Sequence, residues 1–162
     1  MEIFDKFKSL TVKELAEQIS PSSPAFNELK KRGILRTKNV VGELGEYFAA
    51  QYYNDNPKLP NLSLAPPGVK NIDALSRDGQ IYSIKTVSSR SGTTGSFWDP
   101  ESIQNNVKKF DYLVIVILNN SYSVDVVIQM TWNDFLENKR FNSRMNNYNI
   151  SVTKELITKF QI

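Results

Sequence analysis

The sequence predicts an α/β fold in which helices cover both faces of a mixed β-sheet, an α/β/α arrangement. Helical patterns come first along the chain, and two short strand-like runs then flank Arg77-Asp78-Gly79. Residues 110–118 form the most apolar run, which is typical of a central buried strand. A further strand and helices follow that run. We therefore expect a sheet that has helices on both faces and combines parallel with antiparallel strand pairs.

Composition restricts the chemistry that the chain can perform. The 162 residues, 40% hydrophobic and 23% charged, suit one compact globular domain. The chain has no histidine and no cysteine, which excludes Ser-His-Asp hydrolases, ordinary zinc hydrolases, thiolate metal sites and disulfides. Acid–base chemistry must therefore come from carboxylates, lysine, tyrosine or metal-bound water.

Charge and hydropathy suggest a setting for the protein. The net charge of +3 is compatible with a polyanionic partner, although many proteins without one are as basic. No apolar run reaches the roughly 18 residues of a membrane span, and the N-terminus lacks the layout of a signal peptide. We therefore expect a cytoplasmic protein without a membrane partner.

The first 38 residues are predicted to form an N-terminal helical arm. Thr11 and Glu14 have the spacing of a capping box, at the start of a helix over residues 11–19. Ser23 and Pro24 begin a second helix that Gly33 ends. Two interpretations of the basic cluster that follows remain open, phosphate contact or a solvated helix end that suits the helix dipole. Its residues are Lys30, Lys31, Arg32, Arg36 and Lys38.

Residues 39–162 are predicted to form the core. The order is a helix over 39–53 with Asn39 as its cap, a short strand at 62–64, the hairpin, and a helix over 100–109. The apolar strand, a strand over 122–128, a helix from Thr131 to Lys139, a short strand near 150–152 and a helix from Thr153 follow.

The hairpin places three polar side chains on one face of the sheet. If Arg77-Asp78-Gly79 is a three-residue loop with Gly79 in the left-handed conformation, Ser76 faces Gln80 and Asp73 faces Ser83. Lys85 lies two residues further along the same face. A two-residue loop would instead turn Asp73 to the opposite face. The predicted site therefore depends on this register.

This hairpin resembles that of a known nuclease family. Over Asp73-Ala74, Gly79-Gln80, Tyr82 and Lys85 it is similar to the catalytic hairpin of the short PvuII-like type II restriction endonucleases, in the PD-(D/E)XK nuclease superfamily. Thr94-Gly95-Ser96-Phe97 shows a fainter similarity. Ser83 departs from the family pattern, which has Glu, Asp or Gln at that position.

The resemblance implies a restriction-endonuclease-like core and Mg²⁺-dependent hydrolysis of double-stranded DNA, with Mn²⁺ as an alternative metal. It implies that Asp73 is the central metal ligand, that the Ile84 carbonyl completes the shell, and that Lys85 lies near the phosphate and attacking water. Ser83 is expected to orient a water molecule. A homodimer is expected because one such domain has one site, whereas a double-strand cut needs two.

The resemblance also implies a glutamate on the helix before the hairpin, and two candidates remain open. Helical periodicity puts Glu43 at the edge of the apolar stripe and Glu46 nearly opposite it. The family spacing of Gly42, a glutamate and Ala49 instead favours Glu46. We expect Glu46 to complete the metal site, with Glu43 as the alternative.

The segment after the hairpin is rich in hydroxyl side chains and glycine, and no aliphatic pattern would bury it. Loops that leave rigid strands beside a site commonly carry recognition. One interpretation is a DNA-binding loop, and the other is an ordinary loop with Trp98 folded back on the core. The residues expected to contact nucleic acid are Arg90, Thr93, Thr94, Ser96, Trp98 and Lys108.

Three functions thus remain in contention. The first is a Mg²⁺-dependent DNA endonuclease, and the second is a catalytically inactive relative that binds DNA. The third is a protein-interaction module that shares only the fold.

Overall fold

The computed structural model describes residues 3–37, 39–120 and 122–162, and divides the chain into two compact units. One unit ends at residue 43 and the other begins at residue 44, whereas the sequence placed a boundary after residue 38. Lys38, the last residue of the predicted basic cluster, lies outside the described residues. The helices of the first unit are α1 (Ile3–Lys8), α2 (Val12–Ile19), α3 (Pro24–Lys31) and the first turn of α4 (Val40–Asp55).

The helix starts of the first unit form as the sequence predicts. The Thr11 side chain accepts a hydrogen bond from the Glu14 N–H, and the Glu14 carboxylate accepts one from the Thr11 N–H. Ser23 caps α3 in the same way, with its hydroxyl oxygen accepting from the Phe26 N–H. Gly33 follows the helix with a φ of +72°, a conformation that glycine adopts without strain. The predicted capping box and the predicted limits of α3 are confirmed.

The second unit contains a five-stranded mixed sheet, which confirms the predicted α/β class. Its strands are β1 (Leu62–Leu64), β2 (Ala74–Ser76), β3 (Ile81–Val87), β4 (Tyr112–Leu118) and β5 (Val124–Thr131). They lie in chain order across the sheet, β3 and β4 pair in parallel, and the other neighbouring pairs are antiparallel. The parallel pair needs a crossover, which carries α5 (Pro100–Gln104).

Both faces of the sheet are covered. Tyr53 of α4 packs edge-on against Tyr82 of β3, and its hydroxyl donates to the Gln129 side chain. The opposite face carries an apolar core cluster, where alternate β4 residues such as Leu113 and Ile115 are fully buried with Phe135. The helices on this side are α6 (Trp132–Asn138), capped by Thr131 as predicted, and α7 (Lys154–Phe160), capped by Thr153.

Two predicted elements differ in the structure. The expected strand near residues 150–152 is wrong, because this segment bonds to the loop after β3, with the Thr94 N–H donating to the Ile150 carbonyl. The strands in this part of the chain come before residue 150 and are β6 (Arg140–Asn142) and β7 (Asn147–Asn149), which pair with each other in antiparallel. The helix expected over 100–109 ends at Gln104, because Asn106 turns the chain with a φ of +55°.

The hairpin of β2 and β3 has the register that the three-residue loop predicts. The Gly79 N–H donates to the Ser76 carbonyl, the Ser76 N–H donates to the Gln80 carbonyl, and Gly79 has a φ of +79°. Ala74 pairs with Tyr82, and just beyond this pair the Ser83 hydroxyl donates to the Asp73 carboxylate. The two-residue alternative is thereby excluded.

Helix α4 lies close against β3 at Gly45. A Cβ atom added there would lie 1.7 Å from Oγ1 of Thr86, so only a glycine permits this approach. Thr86 and Lys85 are consecutive in β3 and therefore point to opposite faces. The close packing of α4 on one face leaves the Lys85 face to other elements. In the described ranges, no helix has the length and apolar character needed to cross a membrane.

We expect Gly45→Ala to lower the free energy of unfolding by about 1–3 kcal/mol, because the added methyl group overpacks the α4–β3 contact. Urea unfolding followed by circular dichroism measures the change. Gly95→Ala is the matched control, since a Cβ at Gly95 meets no atom within 4 Å. Equal stability of the two variants would contradict the packing described at Thr86.

Candidate active site

Asp73 is fixed by the strand that faces it. Its Oδ2 atom accepts hydrogen bonds from the Ser83 hydroxyl at 3.2 Å and from the Ile84 N–H at 2.6 Å. Hydrogen bonds to a charged acceptor are strong, so these two donors hold the carboxylate in one orientation. The hairpin register thus converts a spacing of ten residues into direct contact between Asp73 and Ser83.

Lys85 lies on the same face and is positioned by the loop that follows β3. Its Nζ atom is 4.9 Å from the centre of the Phe97 ring and 3.4 Å from the Ser96 carbonyl oxygen. A cation over an aromatic face is attracted by the ring quadrupole. Because Phe97 is itself packed 4.7 Å from Phe135, centroid to centroid, the ring that holds Lys85 is anchored in the core.

These three side chains open into a cavity of about 550 Å³. Ser96 and Trp98 from the loop after β3 also line it, and both were predicted as site residues. Four polar lining residues were not predicted, namely Lys70, Asn71, Asp99 and Lys109. The lining combines three ammonium groups with two carboxylates, so the cavity carries a net positive charge.

Asp99 and Lys109 form an ion pair in this wall, with Nζ 2.9 Å from Oδ2. Asp99 also caps α5, accepting from the Ser102 N–H at 3.3 Å, and has a left-handed φ of +67°. Hydrogen bonds from Ser102 and Lys109 lower the pKa of Asp99 to about 2. The Asp99-Pro100 pair is a helix-start signal in the sequence, but only the fold brings it to the cavity.

Two predicted DNA-contacting threonines instead hold the loop in place. Thr94 is only 5% exposed, and its Oγ1 atom accepts from the Ile150 N–H at 3.0 Å. Thr93 forms an isolated antiparallel bridge with Ser151. Ser96 accepts a hydrogen bond from Asn147 at 2.7 Å while it lines the cavity. The hydroxyl groups of Thr94 and Ser96 therefore stabilise the loop, and Ser96 also lines the cavity.

The remaining predicted contacts separate into two groups. Arg90 makes a two-pronged ion pair with Asp125 at 2.7 and 2.9 Å, and Lys108 pairs with Asp111 at 2.6 Å. Lys108 lies beside a different cavity from the one that Lys85 lines. Trp98 is 60% exposed, so it is not folded back on the core, and the alternative interpretation of this loop is wrong for Trp98.

The two candidate glutamates have different environments. Glu43 is 6% exposed, and its Oε2 atom accepts from the Arg36 and Thr37 N–H groups, each at 2.7 Å. This carboxylate therefore fastens the chain segment before α4. Glu46 is half-buried beside Gly45, the residue that contacts Thr86 on the sheet face opposite Lys85. The described residues that line the cavity do not include Glu46.

A metal ion at this site would have one carboxylate as its main ligand. Within residues 3–37, 39–120 and 122–162, no three His, Cys, Asp or Glu side chains are grouped to hold a metal. Mg²⁺ in proteins is commonly held by one or two carboxylates, with waters and substrate phosphates completing the shell. Asp73, beside Ser83 and Lys85, can provide the one carboxylate of that pattern. Both hydrogen bonds described for Asp73 end on its Oδ2 atom, so a cation can bind its Oδ1 atom.

No protein-family model matches this chain, and no curated protein matches it. A carboxylate, a hydroxyl and an ammonium group that share a positively charged cavity can bind and polarise a phosphate ester.

We expect the Asp99 carboxyl group to titrate near pH 2, because its charged form is stabilised by Ser102 and Lys109. A folded pKa below the ordinary value contributes stability above about pH 4, and this contribution is lost as the pH falls towards 2. Carbon-detected NMR titration measures the pKa, and Lys109→Met should raise it. An unchanged pKa in that variant would contradict the ion pair.

Proposed function

We propose that the chain is a metal-dependent DNA endonuclease of the PD-(D/E)XK type, which hydrolyses phosphodiester bonds in double-stranded DNA. The observation that carries the proposal is the shared face of Asp73, Ser83 and Lys85, which opens into a positively charged cavity. Ser83 and Ile84 hold the Asp73 carboxylate, whereas Ser96 and Phe97 hold the Lys85 ammonium group. Separate partners therefore position the two charges at the cavity.

Each residue has a defined part in the proposed reaction. Lys85 lies beside the scissile phosphate and stabilises the charge that develops on it. Asp73 would hold Mg²⁺, or Mn²⁺, with the Ile84 carbonyl as a further ligand, and Ser83 would orient the attacking water. The metal, when bound, supplies positive charge at the phosphate and makes the nearby water more acidic.

The proposed substrate has consequences for assembly. One cavity of this kind serves one strand, so a cut through both strands requires two copies, and we propose a homodimer. We also propose a cytoplasmic location, with which a chain that has no cysteine to form disulfides is compatible.

We expect Lys85→Ala to reduce DNA cleavage by about 100-fold or more, because removal of one preorganised donor to a developing charge costs that much. DNA affinity should change by less than about tenfold, since one phosphate contact is a small share of the total. Plasmid cleavage and fluorescence anisotropy measure the two effects. Lys159→Ala is the matched control, since Lys159 makes a similar contact with a ring, 4.8 Å from the centre of Phe160. Cleavage by Lys85→Ala at the wild-type rate would show that the assigned site is wrong.

The second candidate is a catalytically inactive DNA-binding protein. The observation that favours it is the Ser83 hydroxyl, which donates to Asp73 at the position where the family that the hairpin resembles has Glu, Asp or Gln. A hydroxyl adds no negative charge, so it contributes little to metal affinity compared with a carboxylate.

Restoring the acid at position 83 distinguishes the two candidates. If the wild type is a nuclease, Ser83→Ala should retain cleavage within about tenfold, and Ser83→Glu should bind Mg²⁺ more tightly because a carboxylate adds charge. Calorimetry and plasmid cleavage in Mg²⁺ and in Mn²⁺ provide the measurements, with circular dichroism as the check on folding.

The wild-type results decide among the three functions. A wild type that binds DNA with a steep salt dependence but never cuts it would support the inactive candidate, most clearly if Ser83→Glu gains cleavage. A wild type that neither binds nor cuts DNA would leave the protein-interaction module.

A further inference from the structure

The two tryptophans of the chain have opposite environments. Trp132 is 5% exposed in the apolar cluster, whereas Trp98 is 60% exposed and lines the cavity. An indole buries a large apolar area when it packs, so its exposure at a cavity wall leaves a flat apolar face available to a ligand. Exposed apolar surface that lines a cavity indicates binding more than an isolated exposed side chain does.

The outward position of Trp98 is fixed by its neighbours on both sides. Phe97 points inward, between the rings of Phe110 and Phe135. Asp99 follows with its left-handed φ of +67°, caps α5 and pairs with Lys109. The chain on either side of Trp98 is therefore anchored, which holds the partly exposed indole at the cavity wall.

The rest of the cavity provides groups that a nucleotide requires. Lys70 and Lys109 line the same cavity as Trp98 and can attract a phosphate, and Lys85 lies there beside Asp73. Asn71 adds an amide side chain that can both donate and accept hydrogen bonds. The volume of about 550 Å³ lies within the range of roughly 300–1,000 Å³ that is usual for cavities that hold small ligands.

An intact duplex cannot use the indole face in this way. Its base faces are stacked on one another, so a protein reaches only base edges and phosphates unless a nucleotide is taken out of the stack. Unpaired bases, by contrast, stack on exposed aromatic side chains with little dependence on sequence. The exposed Trp98 beside lysines is thus complementary to an unstacked nucleotide.

We propose that the cavity binds one unstacked nucleotide of a DNA strand, with its base on Trp98 and its phosphate among Lys70, Lys85 and Lys109. This inference rests on the proposed function, because the nucleotide belongs to the strand that Asp73 and Lys85 would cut. It adds that the nuclease acts on a nucleotide that is unpaired or extruded from the duplex.

Intrinsic fluorescence in EDTA tests the inference without requiring cleavage. A short single-stranded oligodeoxynucleotide should quench Trp98 in a saturable manner, whereas the buried Trp132 should respond little. Trp98→Ala should weaken binding by about tenfold or more, measured by anisotropy, and Trp98→Phe should retain most of the affinity because it keeps an aromatic face. A strand with one abasic position should lose this Trp98-dependent part of its affinity at that position.

Two controls make the result specific to the cavity. Phe141→Ala removes an aromatic side chain that is 50% exposed on β6 and should leave binding unchanged. A duplex with one mismatched pair should bind more tightly than its matched counterpart, because a mismatched base costs less to extrude.

Some outcomes overturn the inference and leave the proposed function standing. Equal affinity of wild type and Trp98→Ala for the single strand, together with normal plasmid cleavage, would show that the enzyme cuts DNA without stacking a base. A loss of affinity upon Trp98→Ala that is confined to matched duplex would indicate a wedge between base pairs and would also overturn the inference.

The opposite outcome separates the two proposals the other way. Trp98-dependent binding of a nucleotide without any cleavage would support the stacking at Trp98 and remove the nuclease function.

Discussion

The register of the β2–β3 hairpin is the constraint on which the candidate site depends. Gly79 closes a three-residue loop in the left-handed conformation, and the hydrogen bonds between Ser76 and its partners fix the pairing that follows. A shift by one residue would turn Asp73 to the other face of the sheet. The same register lets the Ile84 N–H reach Asp73, so the backbone of β3 helps to orient the carboxylate.

The alternation of side chains along β3 separates packing against α4 from the lining of the cavity. Thr86 meets Gly45 of α4 on one face, while Lys85 meets the Ser96 carbonyl and the Phe97 ring on the other. The face that α4 covers is closely packed at Gly45, whereas the other face leaves room beside Lys85 for the cavity. A strand with period two provides both at consecutive residues.

The loop after β3 combines rigidity with an exposed aromatic side chain. Thr94 and Ser96 are tied to residues 147–150, and Phe97 is anchored among aromatic rings. These contacts compensate for the loss of conformational freedom in a segment that has few apolar residues. Trp98 is thereby displayed at the cavity although its own ring is not buried.

The sequence by itself determined the features that arise from neighbouring residues. The capping box at Thr11, the turn at Gly79, the buried strand β4 and the contact between Asp73 and Ser83 all depend on spacings of about ten residues or fewer. Only the tertiary structure decided that the distant residues Asp99 and Lys109 join the cavity beside Asp73. It also decided that Thr94 supports the loop, and that residues 150–152 pair with that loop and form no separate strand. Such contacts join segments tens of residues apart, and local propensity and periodicity carry no information about which segments meet.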